Sequence, residues 1–136
     1  MSGVGKRVVV TGGSGGAGLF IIPELLAHGY TVVNADMQQQ PRPGASFIAV
    51  DSTNLAEVVN ATAGAYAIIH MAALASPTPP DQEVWRINMT GAWNVLEAAE
   101  YAPATHPTFR LSQRSVSQRH RPCSPPSPCS CLPARA

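Results

Sequence analysis

Apolar and polar residues follow one another in blocks along this chain. Val8-Val9-Val10, after Lys6 and Arg7, is short, β-branched and uninterrupted, the pattern of a strand buried on both faces. From Leu19 the period changes: Leu19, Ile22, Leu25 and Leu26 recur at helical spacing on one face until Gly29, where the helix should stop. Pro23 falls within that helix and removes an N–H from it. Residues 30–36 form a second β-rich run ending in Asp36, residues 37–45 a polar surface loop, and residues 46–50 a third strand. Asp51-Ser52-Thr53, or alternatively Asn54, can cap a helix over residues 55–61. Residues 65–70 read as a fourth strand ending in His70. After the loop at 76–80, Asp81 can cap a long helix with Val84, Ile87, Val95 and Leu96 as its apolar contacts and Gly91 as an interruption. Trp85 and Trp93 read as packing of this helix on the sheet, and Met71 and Met89 as fillers of core gaps.

Strands alternating with helices predict an α/β fold with a doubly wound parallel sheet, whose ligand sits at the carboxyl ends of the strands. Gly12, Asp36, Asp51 and His70 all fall there. Between the first strand and first helix lies Thr11-Gly12-Gly13-Ser14-Gly15-Gly16-Ala17-Gly18. Glycines at 12, 15 and 18 suit a tight turn, close backbone approach to a diphosphate and close helix packing, while the N–H groups of the next helix hold the anion. Asp36 follows Gly18 by 18 residues, near the spacing at which a carboxylate meets the adenosine ribose, which favours NAD over NADP. A nucleoside triphosphate loop is excluded, because it needs a lysine after its last glycine and the only lysine is Lys6.

With 136 residues and 45% apolar content, the chain has room for one domain. No stretch approaches the length of apolar residues that spans a membrane, and the N-terminus lacks the apolar core of a signal peptide, so the expectation is cytoplasmic without a membrane partner. The net charge of +1 conceals a division: residues 1–101 hold eight acids and four Lys or Arg, whereas residues 102–136 hold five arginines, seven prolines, all three cysteines and no acid. The first region reads as the folded domain and the second as a disordered tail. Cys123, Cys129 and Cys131 lack a fourth ligand for zinc, and the arginines lack an aromatic platform, so neither a metal nor a nucleic acid is an expected partner.

The glycine loop, Asp36, Asp51, the turn His70-Met71-Ala72-Ala73 and the run from Asn88 to Ala99 together resemble the NAD-dependent epimerase/dehydratase family, the extended short-chain dehydrogenase/reductases, over residues 4–100. The resemblance implies an NAD(P)-binding Rossmann-like domain, here truncated after four strands. It implies that Gly12, Gly15, Gly16, Ala17 and Gly18 hold the pyrophosphate of NAD and Asp36 the adenosine ribose. Asp51 would meet the adenine amino group, with Ser52 where the family has Leu or Val. His70, Met71, Ala72 and Ala73 would line the nicotinamide-side ribose and phosphate, with Leu74 beside them. His70 is expected to be cofactor wall rather than general base, and Asn88 a packing and backbone-bonding residue.

The family's chemistry uses a tyrosine four residues before a lysine, which lowers the phenol's pKa so that it exchanges a proton with the substrate hydroxyl. Four residues after Tyr30, Tyr66 and Tyr101 stand Asn34, His70 and Thr105, so no catalytic residue is assigned. The expectation is the dinucleotide-binding part of an epimerase, dehydratase or reductase for a sugar nucleotide or similar hydroxyl or carbonyl substrate, inactive as it stands. The alternatives are a non-catalytic dinucleotide-sensing module and a short isoform that acts on a partner. Family members pair as homodimers through their fourth and fifth helices, of which this chain has the first. Shifted by one nucleotide, codons compatible with residues 109–122 can encode a peptide like the family's next strand and serine-rich turn. A frameshift or mis-spliced junction between residues 101 and 110 is therefore the alternative to plain disorder for the tail.

Overall fold

The computed structural model describes residues 4–74 and 80–101. They form β1 (Arg7–Thr11), α1 (Gly18–Ala27), β2 (Thr31–Asp36), β3 (Ser46–Ala49), α2 (Leu55–Thr62), β4 (Ala67–His70) and α3 (Asp81–Tyr101). The four strands make one parallel sheet in the order β3-β2-β1-β4. The predicted doubly wound, Rossmann-like arrangement is therefore observed. The predicted tail, with its cysteines and arginines, lies outside the described residues.

Side chains of successive strand residues point to opposite faces, and both faces of β1 are covered. Val8 and Val10 meet Ile22, Val32 and the flanks of Leu25 and Leu26 beneath α1. Val9 turns the other way, into a cluster with Val33, Ala35, Val58, Ala61, Val95 and Ala98 beneath α2 and α3. This double burial explains the unbroken valine run and makes β1 the axis from which the site projects.

Several local expectations change in three dimensions. Leu19 does not join Ile22 in the core but stands 56% exposed at the start of α1. Pro23 sits inside α1 without breaking it, because Pro23 and Leu19 both lie on the exposed side, where water can take the carbonyl that a proline N–H cannot reach. Asn54, not the Asp51-Ser52-Thr53 segment, caps α2, its Oδ1 accepting from the N–H groups of Ala56 and Glu57. Asp81 is the first residue of α3 rather than its cap; the Pro80 carbonyl accepts from Glu83 and Val84. Trp85 and Trp93 are 67% and 66% exposed, and Met89 and Leu96 are exposed with them, so one side of α3 faces outward while Gly91, Asn94, Val95 and Ala98 face the sheet. Gly91 does not interrupt the helix. Met71 does pack against the Val8 and Val10 side.

Ile22 is 1% exposed whereas Phe20, two residues earlier, is 78% exposed. Urea unfolding should lose about 2–4 kcal/mol in Ile22→Ala and less than about 0.5 kcal/mol in Phe20→Ala.

Candidate functional site

The carboxyl ends of β1, β2 and β4 meet at Gly12. Its φ is +72°, and a Cβ there would lie 2.5 Å from the Ala72 nitrogen. Only a residue without a side chain lets the chain leaving β1 touch the chain leaving β4. The Gly12 N–H donates to the Ala35 carbonyl of β2 at 2.8 Å, and Met71 N–H to the Thr11 carbonyl at 3.0 Å, so backbone bonds stitch the three strand ends together. Gly18, at the start of α1, is similarly pressed against the Gly13 carbonyl.

Beyond Gly12 the chain winds into α1. Gly18, Leu19 and Phe20 donate to the carbonyls of Gly15, Gly16 and Ala17, and Ile21 donates again to Ala17. The N–H groups of Gly16 and Ala17 precede this ladder and have no acceptor among the described residues. They are donors at the positive end of a helix dipole, the arrangement that takes an anion.

At the end of β2, Asp36 Oδ2 accepts from the Ser14 N–H at 3.0 Å and Oδ1 from the Gln38 N–H at 3.2 Å. These bonds place the carboxylate between the glycine loop and the loop before β3. Asp51 is turned inward on its own segment: Oδ1 accepts from both the N–H and hydroxyl of Thr53 at 2.8 Å, and the Asp51 N–H donates to Glu57 Oε2 at 2.8 Å. Ser52, next to it, lies under α3. A Cβ on Gly91 would stand 2.8 Å from Ser52 Oγ, and Asn94 donates to the Ser52 carbonyl at 2.9 Å. Gly91 is thus where α3 crosses the chain leaving β3.

His70 ends β4 half-buried, its Nδ1 sharing a 2.7 Å hydrogen bond with Thr11 Oγ1. Burial holds its pKa below the usual 6.5. After it, Asn88 of α3 brackets Leu74, accepting from its N–H at 2.7 Å and donating to its carbonyl at 3.2 Å. The expected backbone-bonding role of Asn88 is what the structure displays.

These strand ends surround an open cleft of about 910 Å³. Of the expected site residues, Gly12, Gly15, Gly16 and Asp36 line one part of it, and Ser52, Met71, Ala72 and Ala73 another. Ala17, Gly18, Asp51 and His70 do not line it; Asp51 is engaged with Thr53, and His70 stands behind the wall on Thr11. Sequence reasoning missed Leu19, Ile87 and, above all, Arg42, which lines the cleft from the loop before β3. Arg42 is the only Lys or Arg between Arg7 and Arg86 and is flanked by Pro41 and Pro43, a signal available in the chain but overshadowed by the polar loop around it.

The sequence profile described as the NAD dependent epimerase/dehydratase family matches residues 8–118. The chain is 34% identical over 101 residues to the human sterol-4-alpha-carboxylate 3-dehydrogenase, decarboxylating, covering 71% of this chain and 26% of that protein. It is 33% identical over 120 residues to the 3-beta-hydroxysteroid dehydrogenase of Mycolicibacterium neoaurum, covering 81% and 33%. It thus spans between a quarter and a third of the length of these curated relatives. A mutant of uronate dehydrogenase from Agrobacterium tumefaciens, solved with NAD, superposes with a TM-score of 0.62 at 25% identity, over 71% of this chain and 37% of that one.

His70 gives the site a pH signature. Above 6.5 the imidazole is neutral in folded and unfolded chains alike; below it the unfolded chain takes up a proton that the folded chain resists, so stability falls as pH drops through 6.5. In urea unfolding from about pH 7 down to about pH 5.5, His70→Asn should show a shallower loss of stability than the wild-type chain.

Proposed function

The chain belongs to the NAD dependent epimerase/dehydratase family, and on that premise we propose that its cleft holds NAD. The observation that carries this reading is the Gly16 N–H, which lies on the cleft wall at the start of α1, has no acceptor among the described residues, and belongs to the loop whose Ser14 N–H holds the Asp36 carboxylate. Donors there suit a diphosphate, and a carboxylate there suits the adenosine ribose hydroxyls.

The remaining roles follow from place. Gly12 and Gly18 permit the close chain contacts that shape the loop, and Gly15 and Gly16, which line the cleft, keep side chains out of the diphosphate's path. Ser52 floors the adenine end, where Asp51 would have to release Thr53 to reach the adenine amino group. Met71, Ala72 and Ala73 line the nicotinamide side, and His70 supports them through Thr11 rather than touching the dinucleotide first. When bound, NAD supplies a hydride acceptor for a hydroxyl-bearing carbon.

We read residues 1–101 as the dinucleotide-binding unit and residues 102–136 as a tail, in a cytoplasmic protein that is part of an epimerase, dehydratase or reductase for a sugar nucleotide or a similar hydroxyl or carbonyl compound. The chain as it stands holds the dinucleotide without turning it over, since no Tyr-x-x-x-Lys pair is present to exchange the substrate proton. The outward face of α3, with Trp85, Met89, Trp93 and Leu96, suits helix pairing in a homodimer of a full-length relative.

Fluorescence titration should find NADH bound at least about tenfold more tightly than NADPH, whose 2′-phosphate meets the Asp36 charge, and Asp36→Asn should weaken NADH about tenfold or more while narrowing the preference. No NADH should accumulate when NAD is supplied with a uronate or a 3β-hydroxysteroid. Absence of NADH binding by the wild-type chain would overturn the reading, and turnover would overturn its catalytic half.

A further inference from the structure

Arg42 belongs to a loop with no helix or strand of its own, yet its side chain makes three hydrogen bonds to the glycine loop. Its Nε donates to the Gly13 carbonyl at 3.0 Å, and its Nη2 to the carbonyls of Ser14 at 2.8 Å and Gly15 at 3.1 Å. Nη1 donates to the adjoining Pro41 carbonyl at 2.9 Å. Three consecutive peptide oxygens of the glycine loop therefore converge on one guanidinium.

We propose that Arg42 is a positioning residue for the dinucleotide's diphosphate, acting by orienting the glycine loop's peptides. This rests on the reading of the cleft as an NAD site. In a trans peptide the carbonyl of one residue and the N–H of the next point in opposite directions. With the oxygens of residues 13, 14 and 15 turned to Arg42, the N–H groups of Ser14, Gly15 and Gly16 are turned away from it. The Ser14 N–H goes to Asp36 and the Gly15 N–H to the Gly12 carbonyl, while that of Gly16 has no acceptor among the described residues. The guanidinium thus sets the peptide plane that offers a donor to the diphosphate.

Two physical reasons make such an anchor necessary. Glycines carry no side chain to restrict their backbone, so a loop of them samples many orientations unless something outside it chooses one. Carbonyl oxygens crowded near an anion site also repel the anion, and a cation seated on them cancels that repulsion. A planar fork serves both purposes, which the single ammonium of lysine does not.

The anchoring loop is itself tied to the same place. Gln40 N–H and Asn34 Nδ2 both donate to Ser14 Oγ, at 3.3 Å and 3.0 Å. The adenosine-ribose carboxylate and the diphosphate loop are therefore held through Ser14 and Arg42 as one piece. Arg42 spends four of its five N–H donors on carbonyls, which leaves it a poor hook for a phosphate of its own.

The test measures ADP-ribose by calorimetry and adenosine by ligand-observed NMR on the full chain, with thermal melting of each ligand-free variant. Arg42→Ala should weaken ADP-ribose about tenfold or more and adenosine less than about twofold, because only the former carries the diphosphate. Arg42→Lys, with its charge but not its fork, should remain severalfold weaker than wild type for ADP-ribose while melting near the wild-type temperature; it carries the comparison if the alanine variant does not fold. Equal losses on both ligands would make Arg42 a general scaffold residue, and a lysine variant that binds ADP-ribose as wild type does would reduce it to a point charge; either result overturns the proposal. Failure of the wild-type chain to bind NADH is a separate result, which removes the NAD reading and this inference with it.

Discussion

The contact between Gly12 and the backbone of Met71 and Ala72 is the constraint on which the rest of the site depends. A side chain at position 12 would occupy the space of the Ala72 nitrogen, and the positive φ would strain any other residue even in open space. Because nothing stands between them, the chains leaving β1 and β4 can run side by side. Met71 bonds back to Thr11, His70 reaches Thr11 Oγ1, and Gly12 bonds to β2. The cleft is the space left above this junction, and the glycine loop forms one of its walls.

A phosphate loop built from main chain has its own electrostatic demands. N–H groups aimed at the ligand imply carbonyls aimed away, and those carbonyls need partners. In this structure the partners are a single arginine and the first turn of α1. Negative charge is supplied by Asp36, held in place by two N–H donors rather than by a cation. Arg42 and Asp36 thus serve the same loop from two sides without forming an ion pair with each other. Family membership and the NAD-bound neighbour fit this geometry, while the share of the relatives' length that is matched limits what the geometry says about chemistry on a substrate.

Much of the fold was legible because its signals are local. The valine run, the switch to helical period at Leu19 and the glycines between them define a strand, a loop and a helix from neighbours alone. The same holds for Asp36 and for the segment ending at His70. Helix faces were read less well. In α3 both Val95 and Leu96 are apolar, yet one is buried and the other exposed. Hydropathy cannot rank Trp85 below Gly91 as a contact; only the position of Ser52 beneath the helix does so. Asp51 illustrates a different difficulty: an acid before a helix can serve as cap, turn former or ligand, and the Thr53 hydroxyl decided the matter in favour of the turn.

Order of elements, the phosphate-loop glycines, the carboxylate at the end of β2 and the absence of a Tyr-x-x-x-Lys pair were determined by the sequence itself, because each rests on residue types at short, fixed spacing. The tertiary structure decided which of those residues reach the cleft, that His70 and Asp51 bond elsewhere first, and that Arg42 belongs to the glycine loop. Arg42 and Gly13 are 29 residues apart. No periodicity spans that distance; parallel pairing of β1 with β2 returns the chain to the same end of the sheet, and that return is what brings the cation to the loop.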